Sequence, residues 1–368
     1  MKFELDRSEL LNAVTIAAKA TAQKGVKPIL ANILIEAESD KIRLVATDLE
    51  AMSIIEIPAD VSACGKITAP AKLLQELLSN LPGDSLFPVE VSADPQKDEI
   101  DFSMGKSRFS IRGLHADDFP PVPVLSESMT KIKSAEFAKA IKRASTAASF
   151  EDANPVQRAV LIDFTDLPVA VATDSKRLAI AEMTLTVPEE IKKQFIVPIK
   201  AANDVSAMIT GSDSFEFGTF KEQLVFKKDN ITLVSRIVDG RFPDYKRVLP
   251  KDSPNTAKFM RKELTQAIKS VTPIARDKSN LVHFDFSHDS VKIWANNDLQ
   301  NRAETEIDCK FDGVPLNIAF NAGFISKFLD VVGTDEILLK MSSPSYPGVF
   351  ESVGDDEKAI YILMPMTY

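Results

Sequence analysis

A six-residue helical segment returns three times at a fixed interval, and that recurrence constrains the fold more than any other feature of the chain. Glu9-Leu10-Leu11-Asn12-Ala13-Val14, Glu136-Phe137-Ala138-Lys139-Ala140-Ile141 and Glu263-Leu264-Thr265-Gln266-Ala267-Ile268 begin 127 residues apart in both steps. In each copy the apolar positions fall four apart and continue a turn later, as Leu10, Val14 and Ala17, as Phe137, Ile141 and Ala144, and as Leu264, Ile268 and Val271. That spacing is one face of an amphipathic helix. Asp6, with Glu9 three residues on, reads as a capping box for the first copy.

Two further series keep the same order. Val45-Ala46-Thr47-Asp48, Val171-Ala172-Thr173-Asp174 and Trp294-Ala295-Asn296-Asn297-Asp298 each end a β-type run, with the alanines 126 and 123 residues apart. Gly83-Asp84, Gly211-Ser212-Asp213 and Gly333-Thr334-Asp335 each follow a helical pattern, where glycine suits a C-terminal cap. Three markers at one period of about 125 residues imply three copies of one domain. Each copy reads strand, helix, several strands, helix, several strands. Short strands with polar turns predict antiparallel sheets carrying two helices on one side, an α+β fold. The boundaries fall near Phe119-Pro120-Pro121-Val122-Pro123 and between Pro250 and Pro254, giving domains 1–124, 125–250 and 251–368.

The chemistry of the residues points away from catalysis. Cys64 and Cys309 have no neighbouring Cys or His at ligand spacing, and His115, His283 and His288 are the only histidines. A structural zinc site needs about four ligands, so neither a metal nor another cofactor is expected. Gly105-Lys106-Ser107 invites a phosphate-loop reading, but position 100 is Ile rather than the required glycine, and a hairpin turn fits better. Asp48, Asp174 and Asp298 hold equivalent places in three domains, so they read as turn residues rather than a carboxylate cluster. The start has charges where a signal peptide needs an apolar core, and no apolar run approaches the length of a membrane span, so a cytoplasmic protein without membrane contact is expected.

Basic residues are distributed unevenly. The chain has 44 basic and 53 acidic residues, a net charge of −9, which argues against wrapping DNA as a histone does. Yet Lys131, Lys133, Lys139, Lys142 and Arg143 face a single acid, Glu136, in the segment of the second repeated helix. Lys258, Arg261, Lys262, Lys269, Arg276 and Lys278 dominate the third. Recurrence on equivalent helices of an acidic chain favours a basic lining, and contacts from such a lining to phosphates are insensitive to base sequence.

Several motifs meet a known family. Val238-Asp239-Gly240-Arg241-Phe242-Pro243-Asp244-Tyr245-Lys246-Arg247-Val248-Leu249-Pro250, Tyr361-Ile362-Leu363-Met364-Pro365-Met366, Lys27-Pro28-Ile29-Leu30-Ala31-Asn32, and Ala172-Thr173-Asp174 followed by Arg177-Leu178-Ala179 resemble the bacterial sliding clamps, the beta subunits of DNA polymerase III. The resemblance runs the length of the chain. It implies a head-to-tail homodimer forming a six-domain ring around duplex DNA, a processivity factor rather than an enzyme. Replicative polymerase, an ATP-driven clamp loader and other partners would insert a peptide into a pocket formed by Thr173, Lys176, Arg177, Leu178, Pro243, Arg247, Val248, Ile362, Met364, Pro365 and Met366. Methionine and aliphatic side chains suit such an adaptable groove. Lys24, Lys72 and Lys200 match backbone-contacting positions and join Lys139, Lys142, Arg143 and Lys269 as expected DNA contacts. Phe109, Pro273 and Ile274 fall at the dimer seam. The chain departs from the family pattern at Gln157 on the pocket rim, at Ser175-Lys176 and at Thr367-Tyr368. Outside the resemblance, a non-ring repeat scaffold that binds only proteins is the other reading.

Overall fold

The structure is a computed structural model that describes residues 1–22, 27–81, 88–94, 97–123, 129–250, 253–354 and 358–366. The repeat is plain in the order of elements. The first copy runs β1 (Lys2–Leu5), α1 (Arg7–Ala18), β2 (Asn32–Ala37), β3 (Lys41–Thr47), β4 (Ala51–Pro58), β5 (Asp60–Ala63), β6 (Gly65–Pro70), α2 (Ala71–Asn80), β7 (Val89–Asp94), β8 (Glu99–Met104) and β9 (Ser107–Arg112). The second runs β10 (Thr130–Lys133), α3 (Ser134–Ser145), β11 (Ala159–Asp163), β12 (Val169–Thr173), β13 (Arg177–Glu182), β14 (Gln194–Pro198), α4 (Ile199–Ile209), β15 (Ser214–Phe220), β16 (Gln223–Lys228) and β17 (Ile231–Arg236). The third runs β18 (Asn255–Met260), α5 (Arg261–Ala275), β19 (Leu281–Phe286), β20 (Ser290–Asn296), β21 (Arg302–Asp308), β22 (Lys310–Asp312), β23 (Leu316–Asn321), α6 (Ala322–Leu329), β24 (Glu336–Met341), β25 (Gly348–Val353) and β26 (Ala359–Leu363).

Local chemistry sets the elements. Asp6 caps α1, its carboxylate accepting from the Ser8 and Glu9 amides at 2.7 and 3.2 Å, which satisfies two of the helix's orphan donors. Leu10, Val14 and Ala17 are buried under α1, Phe137, Ile141 and Ala144 under α3, and Leu264, Ile268 and Val271 under α5. Each first helix lies against the second of its repeat, α1 on α2, α3 on α4 and α5 on α6. Gly105 takes φ 58° in the β8–β9 turn, the hairpin expected there. Gly211 takes φ 82° just after α4, as a capping glycine should. Gly333 does not: α6 ends at Leu329 and Asp330 caps it with ordinary helical backbone. The aspartates hold turns, with Asp48 accepting from the Glu50 and Ala51 amides and Asp174 from those of Lys176 and Arg177. In the third copy Asn297 also holds the turn, its side chain accepting from the Leu299 and Asn301 amides.

The sheets do not stop where the repeats do. The chain divides into two compact units, one of Met1–Ile132 with Ser214–Arg236, the other of Lys133–Asp213 with Ile237–Tyr368. In unit 1 the strands β6-β2-β3-β4 continue through β17-β16-β15-β10 as one eight-stranded sheet, because β4 pairs antiparallel with β17, Ser53 opposite Leu233. In unit 2 the strands β14-β11-β12-β13 continue through β26-β25-β24-β18-β22, because β13 pairs with β26, Leu178 opposite Ile362. Each junction joins the fourth strand of one repeat to the last strand of the next. Among the described residues, two half-sheets lack that continuation. The last strand of the first repeat, β9, is the edge of β5-β1-β7-β8-β9, and the fourth strand of the third, β21, is the edge of β21-β20-β19-β23.

Candidate functional site

In unit 2 the start of β13 and the end of β26 pair side by side, Leu178 opposite Ile362, where the expected peptide groove falls. The turn into β13 is tightly bonded: Thr173 Oγ1 donates to the Arg177 carbonyl at 2.7 Å, and Asp174 Oδ1 accepts the Lys176 and Arg177 amides, each at 3.0 Å. Ser175 at its tip is left-handed, φ 69°. The Met364 amide donates to the Lys176 carbonyl at 2.9 Å, and the Met366 amide to that of Ala319 at 2.8 Å, so the residues after β26 are held in place. Leu178, Ile362, Val156, Phe242 and Tyr245 pack into one buried cluster beneath. Above it Val248 and Met364 stand 46% and 44% exposed. A floor of aliphatic and aromatic carbon with an exposed methionine at the rim is a surface that gains by covering.

Tyr245 is anchored from below. Its hydroxyl donates to Asp163 Oδ2 at 3.2 Å, where Gln194 Nε2 also donates at 2.9 Å. Burial pushes the Asp163 carboxyl up, but donation from Thr165, Gln194 and Tyr245 outweighs it and holds the group below the usual carboxylate range. The same pairing, with burial first, raises the Tyr245 phenol well above its ordinary value. Sequence reasoning missed Val156, Tyr245 and Asp163 as parts of this site. The Arg-Phe-Pro-Asp-Tyr run held the signal, since a buried tyrosine needs an acceptor.

The expected pocket residues divide into two groups. Leu178 and Ile362 belong to the buried cluster, Thr173, Pro365 and Met366 are half-buried, Lys176, Pro243, Val248 and Met364 are exposed, and exposed Arg247 pairs with Asp244 at 2.8 Å. Arg177 is different. It is buried, its Nε donating to Asp174 Oδ2 at 2.8 Å, its other nitrogens 3.4 Å from the Tyr361 hydroxyl and the Ala148 carbonyl, and its guanidinium 4.0 Å over the Phe324 ring. It braces the wall rather than facing an incoming chain. Gln157 and Ser175 meet across the rim, Gln157 Nε2 donating to Ser175 Oγ at 2.6 Å.

The expected DNA contacts also divide. Lys72 on α2, Lys139 and Lys142 on α3, Lys200 at the start of α4 and Lys269 on α5 are all exposed, each on a helix whose opposite face is buried. Arg143 is only 6% exposed, because its position on α3 turns inward with Phe137 and Ala144, so it is removed from the solvent-facing set. Arg261 and Lys258 likewise serve the fold, Arg261 donating to the Thr334 carbonyl and Lys258 pairing with Glu336. Lys24 lies outside the described residues. At the expected seam, Phe109 on edge strand β9 is half-buried, Pro273 is exposed and Ile274 half-buried in the last turn of α5. Among the described residues no group of three or more His, Cys, Asp or Glu could hold a metal.

Comparison with known proteins follows the same three-part division. Family models for the N-terminal, central and C-terminal domains of the DNA polymerase III beta subunit match residues 1–123, 131–244 and 246–367. The chain belongs to the sliding-clamp family. The beta sliding clamps of Pseudomonas putida and Vibrio cholerae are each 30% identical to it over 375 and 374 residues, with both chains covered in full. A crystallised DNA polymerase sliding clamp from Pseudomonas aeruginosa matches with TM-score 0.91 at 27% identity, again over the whole of both chains. The fold is therefore the three-domain α+β fold of sliding clamps, whose members are processivity factors rather than enzymes.

Proposed function

We propose that two copies of this chain close head to tail into a ring on duplex DNA, slide along it, and tether replicative polymerase and other partners through peptides docked in the unit 2 groove. The observation that carries this reading is the pair of unfinished half-sheets. The junction made by β4 with β17 and by β13 with β26 has a third equivalent, β21 with β9, which a single chain leaves open and a second copy supplies. Such a heterologous contact closes after two chains. The edges also differ in charge: β9 carries Arg108 and Arg112, while β21 carries Glu306 and Asp308 beyond Glu304, which Arg302 and Lys292 already pair. Phe109, Pro273 and Ile274 supply the apolar part of the seam.

In this reading Lys24, Lys72, Lys139, Lys142, Lys200 and Lys269 face phosphates. Five of these lie on the repeated helices of an acidic protein, which favours loose, sequence-independent contact over tight binding. The domains are 1–124, 125–250 and 251–368, the partners are polymerase, an ATP-driven loader and peptide-bearing proteins, and the place is the cytoplasm. No helix among the described residues is long and apolar enough to cross a membrane.

Sedimentation equilibrium from nanomolar to micromolar concentration tests the seam. A mass near twice 40.4 kDa is expected, falling to monomer when Pro273→Ala and Ile274→Ala are combined. A double variant still dimeric at nanomolar concentration refutes the seam assignment. Retention on circular but not linearised DNA then separates the ring from a scaffold that binds proteins alone.

A further inference from the structure

Unit 1 contains a second groove built on the plan of the first. Thr47 Oγ1 donates to the Ala51 carbonyl at 2.7 Å, Asp48 Oδ1 accepts the Glu50 and Ala51 amides at 3.1 and 2.9 Å, and Leu49 at the tip has φ 76°. These are the bonds of Thr173, Asp174 and Arg177, with Ser175 at the tip. The Arg236 amide donates to the Glu50 carbonyl at 2.9 Å, as that of Met364 does to Lys176. Phe119-Pro120 stands in the place of Phe242-Pro243, and both phenylalanines are 7% exposed. Val45, Ile54 and Phe119 pack beneath half-buried Met52 and Val122. The groove so formed measures about 490 Å³, within the usual range of ligand-binding clefts.

Its rim has a charge bias. Arg236 and Lys221 are exposed there, Lys221 with its ammonium 5.3 Å from the Phe220 ring centre, and among the described residues Glu50 is the one acid lining the space. Leu49, 46% exposed, overhangs the opening. Two cations above an apolar floor complement a chain that alternates acidic and apolar side chains, as an extended segment presents them.

We propose that this unit 1 groove is a second docking site, for an extended acidic–apolar peptide segment of a partner protein. The inference rests on the reading that the unit 2 groove takes peptides, since the shared plan carries it over. If both grooves bind, each chain holds two peptides at once, and a partner with two such segments gains avidity without any new contact.

The test uses the full chain and a fluorescein-labelled peptide, Gly-Asp-Leu-Glu-Leu-Phe-Gly, with stoichiometry measured by anisotropy at saturating protein. Two sites per chain are expected. Met364→Asp should leave one, Leu49→Asp with Arg236→Glu should leave the other, and the combined variant should leave none, with circular dichroism unchanged throughout. A Gly-Lys-Leu-Lys-Leu-Phe-Gly probe should bind the unit 1 groove at least tenfold more weakly. One site in the wild type, lost with Met364→Asp and indifferent to Leu49→Asp with Arg236→Glu, overturns the second site alone. Binding lost with the unit 1 changes and untouched by Met364→Asp supports this site and removes the unit 2 reading. No binding in any form overturns both, and equal affinity for the lysine peptide overturns the acidic preference.

Discussion

Arg177→Met should weaken unit 2 by an amount that can be worked from its contacts. The arginine and Asp174 side chains are 5% and 11% exposed and 2.8 Å apart. Removing one partner of a buried pair costs about 3–5 kcal/mol, because the remaining charge is stranded away from water. Asp174 is not fully stranded, since the Lys176 and Arg177 amides still donate to it at 3.0 Å. The cost therefore sits near the lower end, about 3 kcal/mol. Methionine refills part of the volume over Phe324 and leaves Tyr361 without its nitrogen partner. In a unit of this size each kcal/mol moves the melting temperature by about 2–4 °C, so a fall of about 6–12 °C is expected by thermal circular dichroism. Asp174→Asn alone should also destabilise, and the double variant should cost less than the two singles together by about 1 kcal/mol or more. A melting temperature within about 2 °C of wild type, or strictly additive variants, would show that Arg177 is not the brace described here.

Tyr245→Phe should cost about 1.5–3 kcal/mol at pH 7, the range for a hydrogen bond to a charged group. Asp163 has a folded-state value below its unfolded one, so its contribution is present above about pH 4 and lost as pH falls below that. The difference between wild type and Tyr245→Phe in urea should accordingly shrink as pH falls below about 4, and a difference constant with pH would remove the Asp163 link. Gly348→Ala would place a Cβ 2.5 Å from Phe320 Cζ. Phe320 is fully buried against Phe284 and Phe350 and cannot yield, so overpacking of about 1–3 kcal/mol is expected in urea unfolding. Arg108→Glu should raise the dimer dissociation constant at least tenfold, and added salt should weaken the wild-type dimer but strengthen the variant, both read by sedimentation.

Much of the fold was legible because the repeat is written in residues that the fold must bury. Leu10, Phe137 and Leu264 mark the same helix position, and Thr47-Asp48 and Thr173-Asp174 mark the same turn, since each is fixed by a local bond. What sequence could not show was pairing between distant strands. Nothing local in Ser53 or Leu233 says that they face each other, and so the sheets that run from one repeat into the next were not readable. Arg143 was misplaced for a related reason. In Lys139-Ala140-Ile141-Lys142-Arg143 charge alone does not reveal which residue turns inward, and a helix step of about 100° separates Lys142 from Arg143.

Arg177 shows where composition and role part. In a list of groove residues a cation reads as a contact for an acidic ligand, yet its fork geometry suits a buried strut better, because it can bond three groups and stack on a ring at once. In the proposed peptide-docking reading, recognition falls to Lys176, Met364, Val248 and the Gln157–Ser175 bridge. The same turn in unit 1 has Ala51 in place of Arg177, with no strut and a smaller side chain behind it. In the third repeat Asn297 replaces the aspartate, the turn lengthens, and Leu299 stands 79% exposed beside the open edge of β21. One junction plan thus has three fates. It is braced where a methionine rim is offered, unbraced and cationic in unit 1, and left half-built at β21, the edge that the proposed ring pairs with a second copy. A leucine so exposed beside an unpaired strand is a cost to a solitary chain, and the proposed third junction with a second copy would cover it.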